Sequence, residues 1–153
     1  MTSAEFLAVV LPSEGFGLYC AVELTKKKEH VYAAKIEELI PTIEQWHANN
    51  YDVFYGLATF DKKRGAEDAQ YLKSFFVDLD GYATKKVAAD ALIEFLTKSG
   101  LDALGTPWVV DSGGGLHCYW PLKDEVPATV WKPVAENLKR LCKQEGFNID
   151  MTV

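Results

Sequence analysis

Two aspartates, Asp78 and Asp80, lie two residues apart in a segment that is otherwise apolar enough for a buried strand, residues 74–81 (SFFVDLDG). Residues i and i+2 of a strand face the same side, so the two carboxylates would point together. Two acids on one face of a buried strand repel each other and lose hydration unless a cation or a basic partner compensates. The spacing favours a divalent metal site, and the alternative is a strand end whose acids meet solvent or cap the next helix.

A second group of polar and flexible residues occupies positions 112–117, where Ser112 and three glycines precede His117. Three consecutive glycines cost conformational entropy, and they allow backbone N–H groups to approach phosphate oxygens closely. Together with the aspartates, this loop indicates a polyphosphate site in which metal-bridged acids activate an attacking oxygen and His117 and Ser112 hold the leaving phosphates. Taken alone, the loop is as readily a flexible turn, and a single strand histidine is more often structural.

The elements that must position these groups follow from apolar spacing and turn residues. From residue 72 onward the pattern predicts a β-α-β-β-α-β order, the split βαβ arrangement of ferredoxin-like and RRM-like domains, with helices on one face and strand order 4-1-3-2. The predicted strands are 72–80, 107–111, 116–122 and 147–153, and the predicted helices are 84–99 and 127–145. The fold class is therefore α/β, in the α+β sense.

This topology predicts which side chains share the open sheet face. Asp78 and Asp80 on the first strand would be joined there by His117 and Tyr119 on the neighbouring third strand. Asp150, on the strand flanking the first on its other side, is a candidate third carboxylate whose register the sequence does not fix. The apolar sets that would face the helices are Phe75, Val77 and Leu79 of the first strand and Leu116, Cys118, Trp120 and Leu122 of the third.

The preceding part of the chain reads as an extension of the same domain. It is predicted to contain a strand at 17–24, a polar turn at 26–29, a helix at 33–49 broken or kinked at Pro41, and a strand at 52–60. We expect one domain, 1–153, with the extension at about 1–70 and the core at about 71–153. Lys62, Lys63 and Arg64 form a turn before the acid strand, where they would contact template or triphosphate or simply form a solvated hairpin tip.

Composition limits the function classes. The 153 residues are 48% hydrophobic, which is enough for one substantial core, and no segment approaches the length of a membrane span, so a cytoplasmic protein is expected. A formal net charge of −6 argues against a surface that binds nucleic acid throughout, although a local basic patch can still bind phosphate. The three cysteines lack a C-x-x-C pair, so neither a disulfide framework nor a zinc site is indicated, and we expect them to be small core residues.

At these motifs the chain resembles the archaeo-eukaryotic-type primases, and within them the primase-polymerases of phages and plasmids. The first motif, a hydrophobic strand ending in D-x-D, is matched by residues 76–80 (FVDLD), and the second, a small or Ser residue before a His, by residues 110–120 (VDSGGGLHCYW). Residues 52–60 (DVFYGLATF) are also similar to the phage and plasmid branch. The resemblance covers about residues 51–150.

The resemblance implies template-directed nucleotidyl transfer during phage or plasmid DNA replication. Asp78 and Asp80 would be ligands for Mg²⁺ or Mn²⁺, and Ile149-Asp150 matches the family's third motif, a hydrophobic residue before an acid. His117 would contact the triphosphate of the incoming nucleotide. The implied partners are a single-stranded DNA template, nucleoside triphosphates and a replicative helicase, with no membrane. The implied nucleotide-binding residues are Ser112, Gly113, Gly114, His117 and Tyr119.

Three alternatives stay open. The chain lacks the Arg-rich stretch with a Pro-Gly-Thr turn in which related proteins continue, so an incomplete primase fragment is one of them. A haloacid-dehalogenase-type phosphatase is the second, because residues 78–81 resemble its D-x-D-G-T motif, although Tyr82 replaces the Thr. The third is a noncatalytic nucleic-acid-binding module in which exposed aromatics such as Tyr119 stack bases, although two aspartates on that face would repel phosphate.

Overall fold

The computed structural model describes residues 1–151, which form a mixed α/β structure as predicted. Hydrogen bonds join its strands into two sheets, one of order β2-β1-β3 and one of order β4-β5-β7-β6. The helices are α1 (Ser3–Val10), α2 (Ile36–Ala48), α3 (Lys85–Ser99) and α4 (Ala128–Gln144), and the strands are β1 (Tyr19–Glu23), β2 (His30–Ala33), β3 (Val53–Tyr55), β4 (Ala58–Phe60), β5 (Ala69–Leu79), β6 (Trp108–Asp111) and β7 (Leu116–Pro127).

The chain divides into two compact units whose boundaries differ from the expected division near residue 70. The first unit contains residues 1–74 together with 122–131, and the second contains residues 75–121 together with the chain from 132 onward. The end of β7 and the start of α4 belong to the first unit, where the Glu125 carboxylate accepts the Ser13 N–H at 2.6 Å and the Trp131 indole donates to the Ser74 carbonyl at 2.8 Å. Residues 122–131, which the sequence places in the core at 71–153, therefore belong to the first unit.

The second unit contains the predicted βαββαβ order and one apolar core. Thr84 caps α3 by accepting the Val87 N–H at 3.1 Å, and Gly100, with φ +81°, ends the helix. Phe95 of α3 stacks on Phe147 with ring centroids 4.6 Å apart. The buried members of this core are Val77, Leu79, Ala88, Leu92, Phe95, Leu96, Leu116, Cys118, Cys142, Phe147 and Ile149.

The predicted last strand is reduced to a single antiparallel bridge between Ile149 and Leu79. Residues 152–153, the end of that predicted strand, lie outside the described residues. The bridge lies beside β5, which neighbours β7, which in turn pairs with β6 in antiparallel register, His117 opposite Val110. This sequence of neighbours is the predicted 4-1-3-2 order.

In the first unit, β1 is fully buried and lies between β2 and β3. The single strand predicted at 52–60 is wrong, because the chain leaves one sheet after Tyr55 and enters the other at Ala58. Gly56 makes this turn possible: its N–H donates to the Cys20 carbonyl at 2.9 Å, and a Cβ there would lie 2.6 Å from the Phe60 ring. The close approach of an aromatic ring to the backbone requires glycine.

Two further differences concern the helices. Of the break or kink predicted at Pro41, the break is wrong, because α2 continues through this residue. The proline lacks the N–H that would donate to the carbonyl four residues before it. Helix α1 was not predicted, although Thr2 and Glu5 form a capping box that is readable in the sequence.

Cys20, Cys118 and Cys142 are free and buried, which confirms the expectation of small core residues. In residues 1–151, no helix combines the length and apolar character that a bilayer crossing requires.

Candidate functional site

Asp78 and His117 lie on the same face of the second unit's sheet, as the alternation predicts. Val77 and Leu79, on either side of Asp78, are buried against the helices, so the aspartate side chain projects from the other face. Leu116 and Cys118 bracket His117 on β7 in the same way. The His117 Nε2 lies 3.7 Å from Asp78 Oδ1, with the two side chains 25% and 30% exposed, so they form an ion pair when the imidazole is protonated.

Two aromatic side chains, Phe76 and Tyr119, lie beside this pair. Phe76, two residues before Asp78 on β5, meets the His117 ring edge-on at 5.1 Å and the Tyr119 ring at 5.0 Å. Tyr119 is only 4% exposed, so the expectation that its ring is an exposed aromatic available for base stacking is wrong. Its contact with a nucleotide stays a prediction. The Tyr119 ring is covered in part by Phe76, and its centroid lies 6.5 Å from that of the His117 imidazole.

The structure also fixes the register of Asp150. The bridge between Leu79 and Ile149 is antiparallel, which places Asp150 opposite Asp78 on the adjacent strand, and the Asp150 N–H donates to the Asp78 carbonyl at 2.8 Å. Directly opposed residues of an antiparallel pair carry their side chains on the same face with Cβ atoms about 5 Å apart. Asp150 thus joins the face of Asp78 and His117, as the third acid was expected to do.

The electrostatics of this carboxylate cluster, Asp78, Asp80 and Asp150, favour a cation. Burial raises the pKa of Asp78. The nearby His117 lowers this pKa, and the negative charges of Asp150 and Asp80 raise it further. Asp80 is exposed just beyond the end of β5. The cluster therefore concentrates negative charge in a partly desolvated place.

Carboxylate oxygens are the ligands that Mg²⁺ and Mn²⁺ prefer, so the donor chemistry of the cluster fits a hard divalent cation. Within residues 1–151, however, no three His, Cys, Asp or Glu side chains converge closely enough to hold one ion. Asp78 and Asp150 share a face and a register, and Asp80 lies just beyond the strand, without closing a coordination sphere. Their role as metal ligands stays a prediction.

The glycine loop of the β6–β7 hairpin is held by residues that the sequence interpretation missed. Asp111, at the end of β6, accepts the Gly113 N–H at 2.8 Å and pairs with Lys85 Nζ at 2.8 Å. Lys85, followed by the Gly113 N–H, lowers the pKa of Asp111. The Ser112 N–H donates to the Gly115 carbonyl at 3.0 Å. The signal for this arrangement was an Asp directly before the loop and a Lys in the first turn of a helix.

These bonds decide which part of the loop can meet a ligand. The N–H groups of Ser112 and Gly113 are engaged within the hairpin, so Gly114 and Gly115 are the better candidates for donating to a phosphate. Gly115 also approaches β5 closely, since a Cβ there would lie 3.4 Å from the Leu79 carbonyl oxygen. Of the predicted nucleotide-binding residues, Gly114 is the one that lines the adjacent cleft.

That cleft, of about 410 Å³, lies between residues 79–85 after β5 and residues 114–116 at the start of β7. It contains Asp80, Lys85 and the amino-terminal end of α3, where the helix dipole favours negative charge. Asp80 lines the cleft, and its charge also acts on the Asp78 carboxyl of the carboxylate cluster. An anionic ligand in the cleft would meet Lys85, the amino-terminal end of α3, backbone of the glycine loop and the Asp80 carboxylate.

Lys62, Lys63 and Arg64 lie exposed in the turn between β4 and β5, which belongs to the first unit. The Arg64 N–H donates to the Tyr32 hydroxyl at 2.9 Å, so this turn is anchored by its backbone. Their contact with template or triphosphate stays a prediction.

Comparison with known proteins gives one informative relative. The chain is similar to a curated "Replication protein" of Clostridium perfringens, with 29% identity over 117 residues, covering 67% of this chain and 29% of that protein. The chain thus spans less than a third of that relative's length. No protein-family profile matches the chain, and no solved structure matches it either.

Proposed function

We propose that this chain is the catalytic part of a replication protein, a primase or primase-polymerase that performs metal-dependent, template-directed nucleotidyl transfer. The observation that carries the proposal is the common sheet face of Asp78, Asp150 and His117, with Asp80 just beyond the end of β5. The similarity to a replication protein supports the biological setting. Single-stranded DNA, nucleoside triphosphates and a replicative helicase are the partners of this proposal, and phage or plasmid replication is its context.

The proposed roles follow from charge and position. Asp78, Asp80 and Asp150 would hold Mg²⁺ or Mn²⁺, which when bound neutralises triphosphate charge and activates a 3′ hydroxyl for attack on the α-phosphate. His117 would donate a hydrogen bond to the triphosphate. Its orientation is supported by Phe76, whose ring packs edge-on against the imidazole.

The cleft beside Asp80 is the proposed location of the triphosphate tail. Lys85 is held by Asp111 at the cleft wall, and Gly114 and Gly115 present backbone at its other side. A polyphosphate placed there would lie between a cationic side chain, the amino-terminal end of a helix and an acid that also faces the metal site. This arrangement matches the chemistry of a nucleotide whose reactive phosphate must meet the carboxylates.

The test is primer synthesis and primer extension on single-stranded DNA with Mn²⁺ or Mg²⁺. We expect synthesis by the wild type, and a loss of at least about 100-fold in Asp78→Ala/Asp80→Ala and in His117→Ala, because each removes a group that acts on the transferring phosphate. Asp90→Ala is the matched control, since it removes an exposed acid of α3 that pairs with Lys86 on the surface. Folding of each variant is checked by circular dichroism.

The alternatives give different results in the same preparation. Hydrolysis of p-nitrophenyl phosphate that depends on Asp78, with no templated synthesis, would replace the proposal with a phosphatase. Binding of DNA that survives loss of the acids, with no synthesis by the wild type, would indicate a binding module or an incomplete enzyme. A longer chain that gains synthesis would identify the incomplete enzyme.

A further inference from the structure

Glu23, the last residue of β1, is a buried carboxylate that the proposed catalysis does not use. It is 1% exposed and accepts four backbone N–H groups of the β1–β2 loop, residues 24–29. The Oε2 atom accepts from Thr25 at 3.0 Å and Lys26 at 2.8 Å. The Oε1 atom accepts from Lys27 at 2.7 Å and Glu29 at 3.2 Å.

These four bonds compensate the buried charge without any basic side chain. The N–H of Lys26, and then those of Glu29, Lys27 and Thr25, lower the pKa of Glu23 to about 2, although burial alone would raise it. An ionised carboxylate at this position therefore organises backbone. Removing it would leave several N–H donors of the loop without their acceptor.

Further bonds hold both sides of the loop. The Glu23 N–H donates to the Glu29 carbonyl at 3.1 Å, and the Asp52 N–H donates to the Thr25 hydroxyl at 2.7 Å. Lys28 adopts a φ of +54°, a left-handed conformation that non-glycine residues rarely take unless their surroundings determine it. The loop is therefore constrained at its base, at its flank and at its tip.

The loop presents three consecutive exposed lysines, Lys26, Lys27 and Lys28. None of the three forms an ion pair within residues 1–151. On a chain with a net charge of −6, three neighbouring cations on one loop favour a polyanion, and a loop whose backbone is already ordered loses less entropy when it binds.

Exposed rings lie beside this loop. Val22, the residue before Glu23, is opposite His30 on β2 and opposite Phe54 on β3. His30 is exposed and Phe54 is 46% exposed. A basic loop next to exposed rings is typical of surfaces that bind single strands, where bases stack on rings and lysines contact phosphates.

We infer that the β1–β2 loop is a preorganised binding surface for the phosphate backbone of single-stranded nucleic acid, and that Glu23 is its positioning residue. The inference rests on the proposed function for the presence of such a strand. It adds a surface in the first unit and a role for a residue that touches no nucleic acid itself. Phosphate contacts by three lysines would supply affinity without sequence preference.

The test measures binding of a fluorescent 20-nucleotide DNA by anisotropy over a range of salt concentrations. For Lys26→Ala/Lys27→Ala/Lys28→Ala we expect about tenfold weaker binding at 50 mM salt and a salt slope reduced by about 2, since each single-strand phosphate contact contributes about 0.7. The matched control is Lys132→Ala/Arg140→Ala/Lys143→Ala, which removes three exposed cations from α4. We expect the control to retain the wild-type slope.

Glu23→Gln separates positioning from net charge. Removing a negative charge should by itself strengthen binding to DNA, whereas an amide cannot accept all four N–H bonds, so the disordered loop should bind several-fold more weakly. Glu29→Gln, an exposed loop position with the same charge change, should bind as well as the wild type or better. In the triple-lysine background, Glu23→Gln should have no further effect.

The outcomes distinguish this inference from the proposed function. Equal losses in the loop and α4 variants, or tighter binding by Glu23→Gln, would overturn the inference. Lysine-dependent binding to phosphatidylserine vesicles without DNA binding would overturn it in favour of a membrane surface. Templated synthesis with unchanged DNA binding in the loop variant would refute the inference alone, while absence of both synthesis and DNA binding in the wild type would refute the proposed function as well. If Glu23→Gln does not fold, the lysine variant still decides.

Discussion

At the scale of single residues, the most informative feature is the crowding of carboxylates around Asp78. Asp150 lies opposite it, Asp80 lies two residues further along, and His117 is the basic side chain that approaches it at 3.7 Å. Such an arrangement opposes folding in the absence of a counter-ion, because burial and neighbouring acids both disfavour the charged form. Side chains that lower stability in this way are characteristic of functional sites.

Asp78→Asn should therefore stabilise the metal-free protein. We expect the free energy of unfolding in urea, with chelator present, to rise by about 1 kcal/mol, since the amide is neutral and nearly isosteric. Asp90→Asn, which breaks an exposed ion pair on α3, should change it by less than about 0.5 kcal/mol.

Added Mn²⁺ should make the wild type more stable than Asp78→Asn, the reverse of the order expected without metal. The ion would raise the unfolding temperature of the wild type and of Asp90→Asn, but not that of Asp78→Asn, because only the folded cluster would bind it. Equal shifts in all three proteins would show that the ion binds elsewhere.

Glu23 gives a pH-dependent prediction. Its pKa of about 2 lies below the usual 4.5, so the stability it contributes is fully present above pH 4.5 and is lost as the pH falls toward 2. We expect Glu23→Gln to be less stable than the wild type at pH 7, with the difference in unfolding free energy narrowing between pH 5 and pH 3. A difference that stays constant over this range would contradict the account.

At the scale of elements, the alternation of β5 and β7 carried most of the successful prediction. Because Val77 and Leu79 are apolar and must be buried, Asp78 had to face the other side, and the same argument placed His117. Alternation does not say what covers a face, so it could not foresee that Tyr119 is buried. The register of Asp150 was equally inaccessible, because it depends on one long-range bridge.

Local conformation limited the prediction elsewhere. Gly56 ends a strand through a close approach to Phe60, and Glu23 organises a loop through four backbone bonds. Neither contact leaves a periodic trace in the sequence. The roles of Asp111 and Lys85 were equally hard to predict. Aspartate and lysine are common on protein surfaces, and the 2.8 Å contact between these two residues becomes visible only in the structure.

The stack of Phe95 on Phe147 tests how α3 is held against the sheet. Phe95 is 2% exposed, so Phe95→Ala should lower the free energy of unfolding by about 3–5 kcal/mol, through lost burial and the cavity left behind. Ile93→Ala, on the exposed side of the same helix, should cost less than about 1 kcal/mol. Urea unfolding followed by circular dichroism provides the comparison, and similar losses in both variants would contradict this packing.

At the scale of the whole molecule, β5 and β7 are each shared between the two units. Residues 122–131 pack with the first unit, where Ala128 and Trp131 lie against the cluster formed by Cys20, Ala58, Phe60 and Leu72. A boundary drawn at residue 70 would therefore cut through apolar contacts. The interval 71–153 includes residues 71–74 and 122–131, which belong to the first unit.

A fragment of residues 71–153 should accordingly fail to unfold cooperatively. Without its partners, Leu72 loses β4 and the surface around Trp131 is exposed to water. We expect a broad thermal transition and association on gel filtration, in contrast to the full chain. A monomeric fragment with a sharp transition would show that the core is autonomous.

In the proposed function, the sheet face that carries Asp78 adds nucleotides according to a template. The most direct measurement is single-nucleotide incorporation with Mn²⁺, on four single-stranded DNA templates that differ only at the position to be copied. The account predicts that the wild type incorporates the complementary nucleotide on each template, and that Asp78→Asn incorporates none while Asp90→Asn matches the wild type. Incorporation that ignores the template, or that persists in Asp78→Asn, would contradict it.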